Sequence, residues 1–191
     1  MTEELRKISK KLSKILKKDR YEHTLGVMYT SASLAMCYGA DIRKAMTTGL
    51  LHDCGKYLSA DDQISFCKKK KIPLTESELE MPALVNAKLG AYLAKHEYEI
   101  EDSDILDAIT YHTTGRPDMT RLEKIVYIAD YIEPNRKEIP GLAQIRKIVF
   151  TDIDRAVCLS AGSTVRYLKN GGKAVDPMTI NTYNFYKKKE D

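Results

Sequence analysis

The sequence predicts an all-α fold, a single helical bundle, and three observations predict it. Apolar residues recur every three to four positions almost throughout the 191 residues. Helix-start signals stand before several of these runs: Asp41, Ser59-x-x-Asp62, Thr75-x-x-Glu78 and Thr120-x-x-Glu123. No segment carries a sustained period of two bounded by turn residues, and no internal repeat is visible. The composition does not shift along the chain, so residues 1–191 are expected to form one domain.

The elements run in order. Leu5, Ile8, Leu12, Ile15 and Leu16 make one stripe of an amphipathic first helix. A second helix is expected from about Tyr21 to Tyr38, with Gly39 as its stop. Asp41 caps a third that carries Ala45, Gly49 and His52 on one face. Ser59-x-x-Asp62 is an imperfect capping box, with Asp in place of Glu, whereas Thr75-x-x-Glu78 is a regular one. A helix from Pro82 to Glu97 takes Pro82 in its first turn. Asp102 or Ser103 opens a helix through His112, and Thr120 opens the run Leu122, Ile125, Val126, Ala129, Asp130. Pro134, Pro140 and Gly141 punctuate the next stretch, and two last helices are expected over Thr151–Lys169 and Met178–Lys188.

The 43% apolar content suffices for a core. The net charge of +4 helps attract a polyphosphate and is too mild to imply nucleic acid. Lys68–Lys71 and Lys187–Lys189 read as solvated helix ends. Cys37, Cys54, Cys67 and Cys158 are scattered without a Cys-x-x-Cys pair, which suggests reduced thiols in a cytoplasmic protein. The charged N-terminus has no apolar signal region, and no run approaches the ~20 apolar residues of a spanning helix. Neither a membrane nor nucleic acid is expected as a partner. A homodimer through the amphipathic first helix is compatible with the pattern.

The chain has four histidines. His112 continues the face of Ile105, Ala108 and Ile109, Asp130 follows Val126 at i+4, and His23 starts a face with Val27, Thr30 and Leu34. The doublet His52-Asp53 closes the apolar run Gly49-Leu50-Leu51 and precedes Cys54-Gly55-Lys56. Three histidines and two aspartates thus fall on inward faces of four helices. One inward histidine is most often a satisfied core residue, and one inward aspartate a cap. Their joint occurrence points instead to a divalent metal in the bundle interior, because imidazole and carboxylate are its ligands and a buried carboxylate needs compensation. A metal activates water, and Lys56 beyond the doublet suits phosphate, so the chemistry indicated is hydrolysis of a phosphate ester or anhydride. Lys56 is equally placed as a solvated charge at a helix C-terminus. Arg116 follows Gly115, which is suited to ending a helix. His96, flanked by charges in Ala94-Lys95-His96-Glu97, is given no role.

Longer stretches then match a known family: Arg20-Tyr21-Glu22-His23-Thr24-Leu25-Gly26-Val27, Leu50-Leu51-His52-Asp53, Leu89-Gly90-Ala91-Tyr92-Leu93, Ala108 through Arg116, and Leu122 through Pro134. The chain resembles the HD-domain metal-dependent phosphohydrolases, and within them the YqeK-type symmetrical bis(5'-nucleosyl)-tetraphosphatases, from about Arg20 to Tyr186. The resemblance implies an HD-domain helical bundle with its metal core at about 20–135 and C-terminal helices at about 140–188 completing a nucleotide pocket. It implies hydrolysis of diadenosine tetraphosphate to two ADP. His23, His52, Asp53 and Asp130 are implied as ligands of a divalent metal, iron first; beside them, Asp53, Lys56 and His112 are read as the catalytic groups. Arg20, His112, Thr113 and Arg136 are implied to meet phosphate or nucleotide, and Lys173, Ala174, Val175, Asp176, Pro177 and Met178 to line the nucleoside pocket; from their own chemistry His23, Asp53, Asn86 and Arg116 are added as substrate contacts.

The chain departs from this family at Leu84-Val85-Asn86-Ala87-Lys88, where the family usually has a histidine in place of Asn86. An amide can hydrogen-bond a phosphate oxygen but is a poor transition-metal ligand, which puts a second metal in question. Gly55 also replaces a common alanine. Two alternatives stay open: an HD phosphohydrolase of another nucleotide, and a nucleotide-binding HD protein impaired in catalysis by Asn86.

Overall fold

The computed structural model describes residues 1–189, and among them there is no strand. The helices are α1 (Glu3–Ile15), α2 (Lys18–Tyr38), α3 (Ile42–Leu51), α4 (Ala60–Lys69), α5 (Glu76–Glu80), α6 (Val85–Glu97), α7 (Ser103–Tyr111), α8 (Arg121–Ile132), α9 (Leu142–Ile148), α10 (Ile153–Asn170) and α11 (Pro177–Lys188). The all-α expectation holds.

Local chemistry sets most of the boundaries. Gly39 ends α2 with φ of 60°, a left-handed turn that costs glycine little. Asp41 and Asp102 cap α3 and α7 through their carboxylates. Thr75 and Thr120 make complete capping boxes with Glu78 and Glu123. Ser59 differs. Its hydroxyl caps the Asp62 amide, yet the shorter Asp62 carboxylate takes the Ser59 hydroxyl proton instead of reaching the backbone N–H. Pro82 begins a short 3-10 turn, Pro82–Leu84, and α6 starts only at Val85.

Two further expectations are corrected. Ile15 is solvent-exposed, while Leu5, Ile8, Leu12 and Leu16 are buried. This stripe joins the main core together with Val27, Leu50 and Leu51. Finally, α9 appears where only punctuation was expected, seating Leu142 and Ile145 in the core.

Four helices pack around one interior: α2 lies on α3 and α8, α3 also on α7 and α8, and α7 on α8. The α2–α3 contact is close because Gly49 has no side chain; a Cβ there would stand 2.9 Å from Met28 Cα. Outside this core, α10 bridges α8 and α11, and Val157, Cys158 and Tyr186 form a second apolar cluster with Met119 and Tyr127. No helix among the described residues is long and apolar enough to cross a membrane.

Candidate metal centre and adjoining cleft

The four packed helices each bring one part of a His/Asp cluster. His23 rises from the second turn of α2 and Asp130 from the last turn of α8, whereas His52 and His112 are the C-cap residues of α3 and α7. Two helix C-termini therefore end at the cluster, and their partial negative charge favours a cation. His52 is fully buried, and His23, Asp53 and His112 nearly so.

Hydrogen bonds fix the rings. His52 Nδ1 lies 2.7 Å from the Gly49 carbonyl and His112 Nδ1 2.7 Å from the Ile109 carbonyl. A carbonyl only accepts, so Nδ1 carries the proton in each ring and Nε2 keeps its lone pair. His23 Nδ1 faces the Glu133 carboxylate at 3.1 Å, which aims its Nε2 inward in the same way. Glu133 is 1% exposed and takes a second hydrogen bond from the Asn135 amide. It was not singled out from the sequence. Its partner His23 is 110 residues away, so no local signal marks the contact.

One donor atom from each of His23, His52 and Asp130 lies within 4.8 Å of the others. His23 Nε2 stands 3.0 Å from Asp130 Oδ1, and His52 Nε2 stands 3.9 Å from the same oxygen. The Nε2 atoms of both histidines are buried without a hydrogen-bond partner. Orphaned acceptors that converge on a carboxylate are what a divalent cation satisfies, so these donors fit one. The electrostatics agree. Burial pushes His52 down to about 4, so it is neutral and free to ligate near neutral pH. For Asp130 burial favours the acid, but the two imidazoles beside it, His23 at 3.0 Å and His52 at 3.9 Å, outweigh it and hold the carboxyl below its usual range. For His23 burial opposes the proton, and Asp130 and Glu133 more than restore it, leaving a raised pKa.

Asp53 stands beside this trio. Arg20 donates to Oδ2 at 2.7 Å and Asn86 to Oδ1 at 2.6 Å, while His52 Nε2 is 3.5 Å from Oδ2 and His112 Nε2 is 3.7 Å from Oδ1. Burial would raise its pKa, but the surrounding groups, His52, His112 and Lys56 among them, hold it well below its usual range. Lys56 thus acts on Asp53 through its field. Arg136 reaches the rim at 3.9 Å from Asp130 Oδ1.

Other expected residues go elsewhere. The Asn86 amide is fully buried and engaged by Asp53, so it is not turned outward to a phosphate. Arg116 pairs with Glu123 at 2.8 Å and covers the Tyr111 ring, because Gly115, with φ of 65°, turns the chain there. Thr113 bonds His112 Nε2 at 3.0 Å and also lines a cleft of about 120 Å³ with Thr110, Leu84, Asp176 and Met178. Of the stretch 173–178, only Asp176 and Met178 line that cleft. Lys173, Ala174 and Pro177 are exposed and Val175 is half-buried. Asp176 caps α11 and accepts from Ser77 on α5 at 2.7 Å, which ties the two walls together. His96 is exposed and stacks on Tyr92.

A buried His, His-Asp, Asp arrangement on packed helices is matched by the HD domain model over residues 20–135. The chain belongs to the HD domain family. HD domains bind a divalent metal, and His23, His52 and Asp130 form the group suited to it here. Over 170 residues the chain is 42% identical to the symmetrical bis(5'-nucleosyl)-tetraphosphatase of Bacillus subtilis, covering 89% of this chain and 90% of that one. It is 40% identical to the protein of the same name from Halalkalibacterium halodurans, covering 88% and 89%. It thus belongs with these tetraphosphatases among the HD domains. A crystal structure from Clostridium acetobutylicum, described as a predicted HD superfamily hydrolase involved in NAD metabolism, is 38% identical. It superimposes with a TM-score of 0.92 over 96% of this chain and 97% of that one.

Proposed function

We propose that this protein is a metal-dependent hydrolase that cleaves diadenosine tetraphosphate symmetrically into two ADP. The observation that carries the reading is the convergence of His23, His52 and Asp130, with two histidine Nε2 atoms buried and unpartnered, in a chain 42% identical to a tetraphosphatase over most of its length.

His23, His52 and Asp130 would hold the ion together with Asp53, whose Oδ2 lies 3.5 Å from His52 Nε2, and iron is the metal proposed. A divalent ion at this position supplies activation of water and polarisation of a phosphoryl oxygen. The chain's own groups do the rest. Asp53, kept ionised between Arg20 and Asn86, accepts a hydrogen bond from the attacking water and orients it in line with an inner phosphorus. Attack there breaks the central anhydride, and each half leaves as ADP. Arg20 and Arg136, half-exposed at the rim, offer the remaining guanidinium N–H groups to phosphate oxygens. Lys56 adds positive field. His112, with its lone pair at Nε2 and Thr113 as partner, is placed to take the proton that the attacking water gives up and pass it to the leaving phosphate. The cleft holding Thr113, Asp176 and Met178 takes a nucleoside, so the helices beyond residue 140 complete the pocket of the core at 20–135. The free thiols suit the cytoplasm.

The test is product analysis by anion exchange, with protein loaded in turn with several divalent metals and His52→Ala as control. ADP as the sole nucleotide, absent with the variant, is the expected result. ATP plus AMP would place attack at an outer phosphorus. No turnover with any metal would favour a nucleotide-binding role.

A further inference from the structure

Asp53 has two oxygens that face two different places. Oδ2 looks toward the His23/His52/Asp130 trio, 3.5 Å from His52 Nε2, and Oδ1 looks away from it, 3.7 Å from His112 Nε2. A carboxylate that offers one oxygen to each side is the usual bridge of a two-metal centre, whose ions stand ~3.5–4 Å apart. Here Oδ1, His112 Nε2 and the side chain of residue 86 surround the second position. In this chain all three are committed to hydrogen bonds or turned away.

The Asn86 amide nitrogen donates to Asp53 Oδ1 at 2.6 Å, and an amide nitrogen has no lone pair for a metal. Its one oxygen, the only metal-capable atom at this position, has no partner. That oxygen points toward Gly55, where a Cβ would lie 3.2 Å from it. Rotating the amide by half a turn would set two oxygens 2.6 Å apart, so the short contact with Asp53 fixes the orientation. His112 Nε2 accepts from the Thr113 hydroxyl at 3.0 Å. A second cation would have to break the short Asn86 bond and leave a fully buried amide donor stranded. On its other oxygen, Oδ2, Asp53 is held by Arg20 at 2.7 Å, so both carboxylate oxygens already have a donor.

We propose that Asn86, held against Asp53 in the pocket between α6 and the C-terminal ends of α3 and α7, restricts this centre to a single divalent ion. Residue 86 is then the determinant of metal number. Gly55 belongs to the same device, since it leaves room for the amide oxygen. The inference rests on the reading of His23, His52 and Asp130 as metal ligands, and the experiment separates the two.

Apoprotein is reconstituted anaerobically with Mn(II) and, separately, Fe(II), and freed of excess metal. Metal per chain is counted by inductively coupled plasma mass spectrometry, and the Mn(II) samples are examined by electron paramagnetic resonance. The expected result is one ion per chain, absent from His52→Ala, with the six-line spectrum of an isolated Mn(II). Asn86→His, which places a ring nitrogen there, is expected to take up a second ion and show the spectrum of a coupled pair. Asn86→Asp, nearly isosteric and acceptor-only, guards against a misfolded histidine variant and is expected to move in the same direction. Two ions per wild-type chain with a coupled spectrum would overturn the proposal and leave the metal reading intact. So would folded Asn86→His and Asn86→Asp variants that both stay at one ion. No bound metal in the wild type would overturn the metal reading itself, and the proposal with it.

Discussion

Glu133 sets the direction of His23, and Gly26 makes space for Glu133. A Cβ at Gly26 would stand 2.3 Å from Glu133 Oε2 and 3.1 Å from its Cδ, so even alanine must push the carboxylate off His23 Nδ1. Carboxylates that hold a ligating imidazole are worth ~10–100-fold in metal affinity. Glu133→Gln is therefore expected to weaken metal binding by about that factor in a chelator competition. Gly26→Ala is expected to do the same through displacement. Unchanged affinity in both would remove Glu133 from the centre. Neither residue is visible from residue type and spacing, because the contact joins the start of α2 to the residue just after α8. Asp130 and the three inward histidines were legible because each continues a helical apolar face. Arg116 misled because a loop cation beside His112 looks like a phosphate contact until Glu123, from the next helix, claims it.

At the scale of elements, legibility follows the range of the interactions that make the helix. The Thr75 and Thr120 boxes close within three residues and were read without error. By contrast α9 spans seven residues, starts from Gly141 with no side-chain cap, and owes its form to packing of Leu142 and Ile145. The seam of α8, α10 and α11 is electrostatic at one edge. Lys124 donates to Asp154 Oδ1 at 2.7 Å and Lys189 to Oδ2 at 3.3 Å. Burial would raise the Asp154 pKa, but the Lys124 hydrogen bond and the charges of both lysines depress it. A depressed folded-state pKa means the pair stabilises above the unfolded value, about 4, and stops doing so as pH falls through the folded value. In metal-free protein, Asp154→Asn is expected to lower the melting temperature near pH 7. The gap from wild type should close below about pH 4. A gap independent of pH would assign the loss to packing.

At the scale of the whole molecule, four helices of different length and sequence position converge on one small volume, and this convergence is what the sequence could indicate only in outline. The inward faces were readable; the order of exposure around the cluster was not. It depends on which helices end at the site and which pass it. His52 and His112 sit where α3 and α7 stop, deep in the bundle, with side chains 0% and 3% exposed. Asp130 lies in the last turn of α8, with its side chain 24% exposed, and Arg20 and Arg136 are more open still, at 40% and 38%.

That gradient of exposure opens the centre to solvent on the side of Asp130, Arg20 and Arg136. An ion that enters there passes Asp130 and the two arginines, through the same opening that later admits the polyphosphate. Loading is then ordered, cation before nucleotide, and departure runs in reverse. Bound ADP becomes a stopper: stripping of the metal by a chelator should slow several-fold once ADP saturates the protein, and adenosine, which lacks the phosphates, should leave the stripping rate unchanged. Equal rates with and without ADP would mean that the ion has a separate exit. In a cell whose free metal falls, a molecule built this way keeps its ion longest when it is busiest.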